Sequence, residues 1–154
     1  MQGNIAATYA VLGRREQALS MLKLVYSGNL KLYGPESEDT LREANNYATN
    51  LFGLNRHEEA TALLRKTMPV ARRVIGENHD ITIRMSICYA MALYYHDGAT
   101  LDDLHEAVAT LEDAGRIARQ VLGGAHPLTE RIGISLPEAR AALRARETPS
   151  PGET

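Results

Sequence analysis

Residues 34–76 read GPESEDTLREANNYATNLFGLNRHEEATALLRKTMPVARRVIG, and the fold follows from this stretch. Leu41, Ala44, Tyr47, Ala48, Leu51 and Leu54 recur at steps of three and four, which places them on one face of a helix. After the polar corner Asn55-Arg56-His57 the same rhythm returns in Ala60, Leu63, Leu64, Thr67, Ala71, Val74 and Ile75. Two amphipathic helices joined by so short a corner form an antiparallel hairpin, helix A followed by helix B. Gly76 comes directly after the last apolar pair, where a left-handed C-cap favours a residue without Cβ. Pro69 deletes one backbone bond inside helix B and is expected to bend it.

The pattern extends in both directions. Gly34 and Gly76 lie 42 positions apart, as do Thr40 and Thr82, Asn4 and Asn46, Ala6 and Ala48, Ala18 and Ala60, and Leu22 and Leu64. In a third copy Gly123, His126 and Thr129 follow Gly76, His79 and Thr82 by 47. Ala90 still lies 42 after Ala48, whereas Ala107 lies 47 after Ala60, so five extra residues fall in the third A/B corner. There Asp97-Gly98 supplies a turn, and Thr100 with Asp103 forms a capping box that starts the third helix B about a turn early. Ser37, His79 and His126 sit just ahead of successive A helices, and Pro127 fits a first helical turn. The alanines sit where paired helices must approach closely. A period in this range marks a stack of units, each covering the next.

These residues resemble the tetratricopeptide repeat, in the 42-residue form found in kinesin light chains. The resemblance rests on Asn4-Ile5-Ala6, Tyr9, Gly13-Arg14 and Ala18, on Asn46-Tyr47-Ala48, Leu51, Arg56 and Glu59-Ala60, and on the link Leu122-Gly123-Gly124-Ala125-His126-Pro127-Leu128-Thr129. It covers about residues 3–135 and departs from the family pattern at Cys88, which stands where the motif has asparagine. It implies an all-α, right-handed superhelical solenoid of antiparallel helix pairs. The expected organisation is three hairpins at roughly 1–34, 37–76 and 79–123, then the start of a fourth helix A. A capping helix over 136–147, set off by Leu136-Pro137, and a disordered tail over 148–154 complete it.

Such repeats bind extended peptides on the concave face of their A helices. Carried onto this chain, the resemblance puts Arg42, Asn45, Asn46, Thr49, Phe52 and Gly53 on that face, with Asn4 from the first unit. Arg42, Arg84 and Arg131 each stand two residues after an aligned threonine, so they form a ladder of guanidinium groups suited to carboxylates. Tyr94 and Tyr95 add an aromatic wall in the third unit. The function implied is non-enzymatic binding of a protein through an extended acidic segment. The alternative is an assembly module that stacks on further repeats or associates with a second copy through its incomplete ends.

Composition agrees with that reading. The chain has 154 residues, 44% of them hydrophobic, and a net charge of −2, which gives no overall attraction to nucleic acid or anionic membranes. Its single cysteine, Cys88, allows no internal disulfide, and no leader or membrane span is recognisable, so a cytoplasmic location is expected. The sequence has no phosphate-binding glycine loop, no nucleophile in a recognisable catalytic setting and no paired metal motif. His57-Glu58 and His105-Glu106 lack the second histidine of a zinc protease motif. Capping and turn formation account for His96, Asp97, Asp102, Asp103 and His105 without a cation. Neither cofactor nor metal is therefore expected.

Overall fold

The computed structural model describes the backbone of residues 2–148 and the side chains of residues 11–148. Six helices follow one another: α1 (Gln2–Tyr33), α2 (Glu38–Gly53), α3 (His57–Val74), α4 (Asp80–Tyr95), α5 (Leu101–Val121) and α6 (Pro127–Glu147). Each packs on its successor, and α2, α4 and α6 also touch in turn. The molecule is an all-α solenoid of helix pairs whose A helices line up as one continuous layer.

Its joints repeat because their backbone chemistry repeats. Gly34, Gly76 and Gly123 take φ values of 82°, 91° and 89°, a region where a Cβ would be strained. Immediately ahead of α4 and α6, histidines act as N-caps. His79 Nδ1 accepts from the Ile81 N–H, and His126 Nδ1 from the Leu128 N–H, both at 3.1 Å. Ser37 occupies the same place before α2 but makes no side-chain cap.

Close approach within the pairs depends on alanine. Ala48 with Ala60, and Ala90 with Ala107, are all 0% exposed, where any added methylene would meet packed atoms. Leu41, Leu64, Ile83, Met85 and Leu111 fill the space around them. The inserted corner is absorbed locally. Thr100 Oγ1 accepts from the Asp103 N–H while Asp103 accepts from the Thr100 N–H, so α5 runs for 21 residues against 18 in α3 and the stack continues undisturbed.

Two expectations need correction. The first copy, expected as a hairpin over 1–34, is one continuous helix of 32 residues. The working corner between α2 and α3 explains the difference. There Asn55 takes φ 60°, Arg56 makes two bonds to Glu59 at 2.8 and 2.7 Å, and His57 packs on Phe52 with ring centroids 5.2 Å apart. The corresponding first-copy residues are Gly13, Arg14 with Gln17, and Arg15 with Ala10. Neither the ion pair nor the ring stack can form, and arginine, glutamate, glutamine and alanine from Arg14 to Ala18 favour helix.

At the other end, the separate capping helix over 136–147 is the second half of α6, which passes through Pro137 without interruption. The carbonyl deprived of its partner belongs to Gly133, which is exposed and so can be hydrated. In the same way α3 continues through Pro69, where the bereft carbonyl is on exposed Arg65. The tail expected at 148–154 lies outside the described residues beyond Thr148.

Candidate functional site: a basic cavity across the A helices

The inner layer forms an open cavity of about 500 Å³. Its walls come from three A helices and from α1. Thr49, Phe52 and Gly53 of α2, Arg84, Cys88 and Met91 of α4, and Leu128 and Arg131 of α6 face it, with Arg15 reaching in from α1. Its floor is partly polar. Asn45 is 8% exposed, and its side-chain oxygen is buried with no hydrogen-bond partner among the described residues. An unpaired amide oxygen in such a place would accept a donor from a bound chain.

The cavity has a definite electrostatic sign. Three guanidinium groups, Arg15, Arg84 and Arg131, border it, and no carboxylate among the described residues does. Arg15 donates to the Gly53 carbonyl at 2.8 Å, which ties α1 to the end of α2. Arg84 Nε lies 2.7 Å from Asp80 Oδ2 in a half-exposed pair one turn away on its own helix. Such surface pairs are weak and exchange readily with a ligand carboxylate. No acidic side chain among the described residues pairs with Arg131. Cys88 is a structural wall residue, because burial pushes its thiol up to about 11 and leaves little thiolate.

The residues singled out in the sequence divide between the cavity and its surroundings. Asn45, Thr49, Arg84 and Arg131 come together in it, along with Phe52 and Gly53. Arg42 does not border it; it is half-exposed and bonded to Glu38 at 3.0 Å. Asn46 is exposed but outside the lining. Tyr94 and Tyr95 stack on each other at 4.7 Å, and both hydroxyls donate to Glu138 of α6, at 2.9 and 3.3 Å. They brace α4 against α6 and do not line the cavity, although Tyr95 meets the Phe52 ring edge-on at 5.6 Å. Asn4 lies outside the described side chains. Arg15, Asn50, Ile87 and Met91 border the cavity without having been singled out. Arg15 stands at the register of His57, so the periodic pattern gave it no role; its position depends on the straight course of α1.

The histidines and acids near the third corner serve elsewhere. His96 faces Glu58 at 3.1 Å, His105 faces Glu147 at 3.2 Å, and Asp103 is taken up by its cap. Among the described residues they form no group of three or more metal-ligating side chains. No helix is long and apolar enough to cross a membrane among the described residues.

Comparison with known proteins bears on the repeat. No curated protein matches the chain. Among solved structures, BtubC (BKLC) from P. vanneervenii superposes with a TM-score of 0.53 at 16% identity, over 97% of this chain and 65% of the other. The likeness is one of fold, and this chain spans about two thirds of the larger one's length. The tetratricopeptide repeat family matches residues 1–73, including the central hairpin from which the period was read. That match, the left-handed glycines spaced with the repeat and the alanine-closed helix pairs agree: the findings support assigning the repeats of this chain to the tetratricopeptide kind, which generally serves as a protein-interaction or scaffold module.

Proposed function

We propose that this protein binds an extended acidic segment of a partner protein along the inner layer of its A helices, without catalysing a reaction. The observation that supports this is the meeting of Arg15, Arg84 and Arg131 around one cavity with no bordering carboxylate among the described residues, in a chain whose net charge is −2. The basic patch is therefore a local arrangement and not a reflection of composition. Guanidinium groups offer paired donors to carboxylates, and Asn45 offers an acceptor for a backbone N–H. Phe52, Ile87 and Met91 supply apolar contact between those polar points. The ligand is a peptide segment with carboxylates two or more residues apart and an apolar side chain between them.

The test is fluorescence anisotropy with a labelled peptide alternating glutamate and leucine, against its glutamine counterpart. The acidic peptide should bind, the amide peptide should bind at least tenfold more weakly, and the difference should shrink as added salt screens the exposed charges. Arg131→Glu should lower affinity for the acidic peptide by about tenfold, equivalent to ~1.4 kcal/mol, with an unchanged thermal melt. Equal binding of the two peptides, or no effect of charge reversal at either Arg84 or Arg131, would overturn the proposal.

A further inference from the structure

α1 packs on α2 and on no other helix among the described residues, so one whole side of it is open. Leu19 and Tyr26, at 5% and 8% exposed, mark the side turned toward α2. Met21, Leu24, Val25, Gly28 and Leu32 lie nearly opposite, and at 3.6 residues per turn they share an arc of about 100°. The four large side chains among them are 67%, 74%, 45% and 75% exposed, in chain order. A continuous apolar stripe this open marks an interaction surface.

Three observations say what fits it. Residues 17–33 contain no acid, and their only charges, Lys23 and Lys31, lie outside the arc, so the matching surface is itself apolar and uncharged. Gly28 makes a notch in the stripe, because a Cβ built there would meet nothing within 4 Å while Leu24 and Leu32 stand one turn to either side. Arg14 continues the same face toward the N-terminus, and Glu36 follows it past the C-terminal end of α1. The far end of the stack offers no such match: on α6 only Ile134 is a strongly exposed large apolar side chain among the described residues. Stacking α1 of one copy on α6 of another is therefore disfavoured.

We propose that two copies of this chain pair through the stripe, with their α1 helices antiparallel about a two-fold axis level with Tyr26 and Ser27. Leu24 of each copy lies over the notch at Gly28 of the other, Met21 packs on Leu32, and the two Val25 side chains meet beside the axis. The antiparallel sense directs each Arg14 toward the partner's Glu36 link, whereas a parallel pair would set like charges together. Such a contact uses one patch twice and closes at two copies. With the polar atoms around the stripe it buries roughly 1,000 Å² over both copies, the lower edge for a specific interface, so the dimer is reversible and forms at micromolar concentration. The concave cavity stays open, since the stripe lies on the side of α1 away from α2.

Sedimentation of the unaltered chain over a dilution series should show a dimer giving way to monomer, and a monomer at every concentration overturns the proposal. Leu24→Glu should weaken the dimer at least tenfold without altering the thermal melt of dilute protein, because this side chain is largely in water; an unaffected dimer also overturns it. Gly28→Leu separates notched packing from indiscriminate apolar contact. It enlarges the apolar surface but fills the notch, so the dimer should weaken at least tenfold, and a stronger dimer counts against the arrangement. Cysteine pairing reads the orientation. In a Cys88→Ser background, Met21→Cys chains mixed with Leu32→Cys chains should oxidise to covalent heterodimers, while each alone keeps its thiol free; the reverse result shows a parallel pair and refutes the proposal. Arg84→Glu should leave the dimer intact, so failure here is distinct from failure of peptide binding.

Discussion

α2 and α3 turn at Asn55 and close on each other, whereas residues 2–33 run straight through the place where the same turn would fall. Both stretches share the small and large residues that make a hairpin close. They differ at the corner itself. Arg56 with Glu59, and His57 on Phe52, hold the chain in the bend; Arg14 with Gln17, and Arg15 near Ala10, have nothing to hold it with. A helix of good formers then continues, because each further residue adds a backbone bond at little entropic cost. A complementary interior is thus insufficient to make a hairpin. The turn needs its own interactions to offset the bonds it interrupts.

The strongest way to break this comparison is to remove matched core residues from the two copies. Leu64→Ala should cost about 2–5 kcal/mol, since the side chain is fully enclosed and leaves a cavity. Leu22→Ala, in the half-buried equivalent, should cost about 1 kcal/mol in dilute protein. Urea melts of the two variants measure the difference, and equal losses would mean that the first copy is closed in solution. Next in size, Ala60→Leu should cost about 1–3 kcal/mol by overpacking against α2. The same change at Ala18 should fall within about 0.5 kcal/mol of the parent in a thermal melt at low concentration.

Caps sharpen the contrast between a joint with side-chain bonds and one without. Thr100→Ala removes one arm of a reciprocal cap and should cost about 1 kcal/mol, while Ser37→Ala removes no cap bond and should cost only a few tenths. Thermal shifts for the two variants check this directly. The smallest effect is one of pH at the central corner. Burial, and secondarily the nearby His96, holds the His57 imidazole below its ordinary value of 6.5, with the Asp97 carboxylate opposing them. The folded state therefore binds its proton less readily than the unfolded chain. This contribution is complete above about pH 6.5 and fades as pH falls below it. His57→Gln should flatten a plot of melting temperature between pH 7.5 and 5.5.

The joints and pair interiors were legible because they are set by local chemistry that recurs. Glycine with positive φ at 34, 76 and 123, histidine ahead of α4 and α6, and alanine between paired helices each announce themselves in a single residue. The straight courses of α1 and α6 were not legible in the same way. They depend on interactions missing at 14–17 and on the hydration available to Gly133, which periodicity does not report. The cavity was half legible. Asn45, Thr49, Arg84 and Arg131 follow from the A-helix register, but Arg42 is drawn to Glu38 and Tyr94 and Tyr95 are drawn to Glu138. Arg15 enters only because α1 fails to turn.

Arg65 gives the stack a mechanical property. The inner helices α2, α4 and α6 touch, but the outer helices α3 and α5 have no backbone contact, and Arg65 spans the gap. Its Nε donates to the Tyr89 hydroxyl at 3.0 Å, Tyr89 donates to Glu106, and the guanidinium lies 3.7 Å from Asp103 and 3.8 Å from Glu106. A layered body in contact on one side and tethered on the other bends like a leaf spring. The inner layer acts as the pivot, and the charged tether sets the stiffness. Since the tether lies largely in water, its charged contacts should weaken as salt screens them, and a radius of gyration that grows with added salt in the parent chain but not in Arg65→Gln is the expected outcome by small-angle scattering.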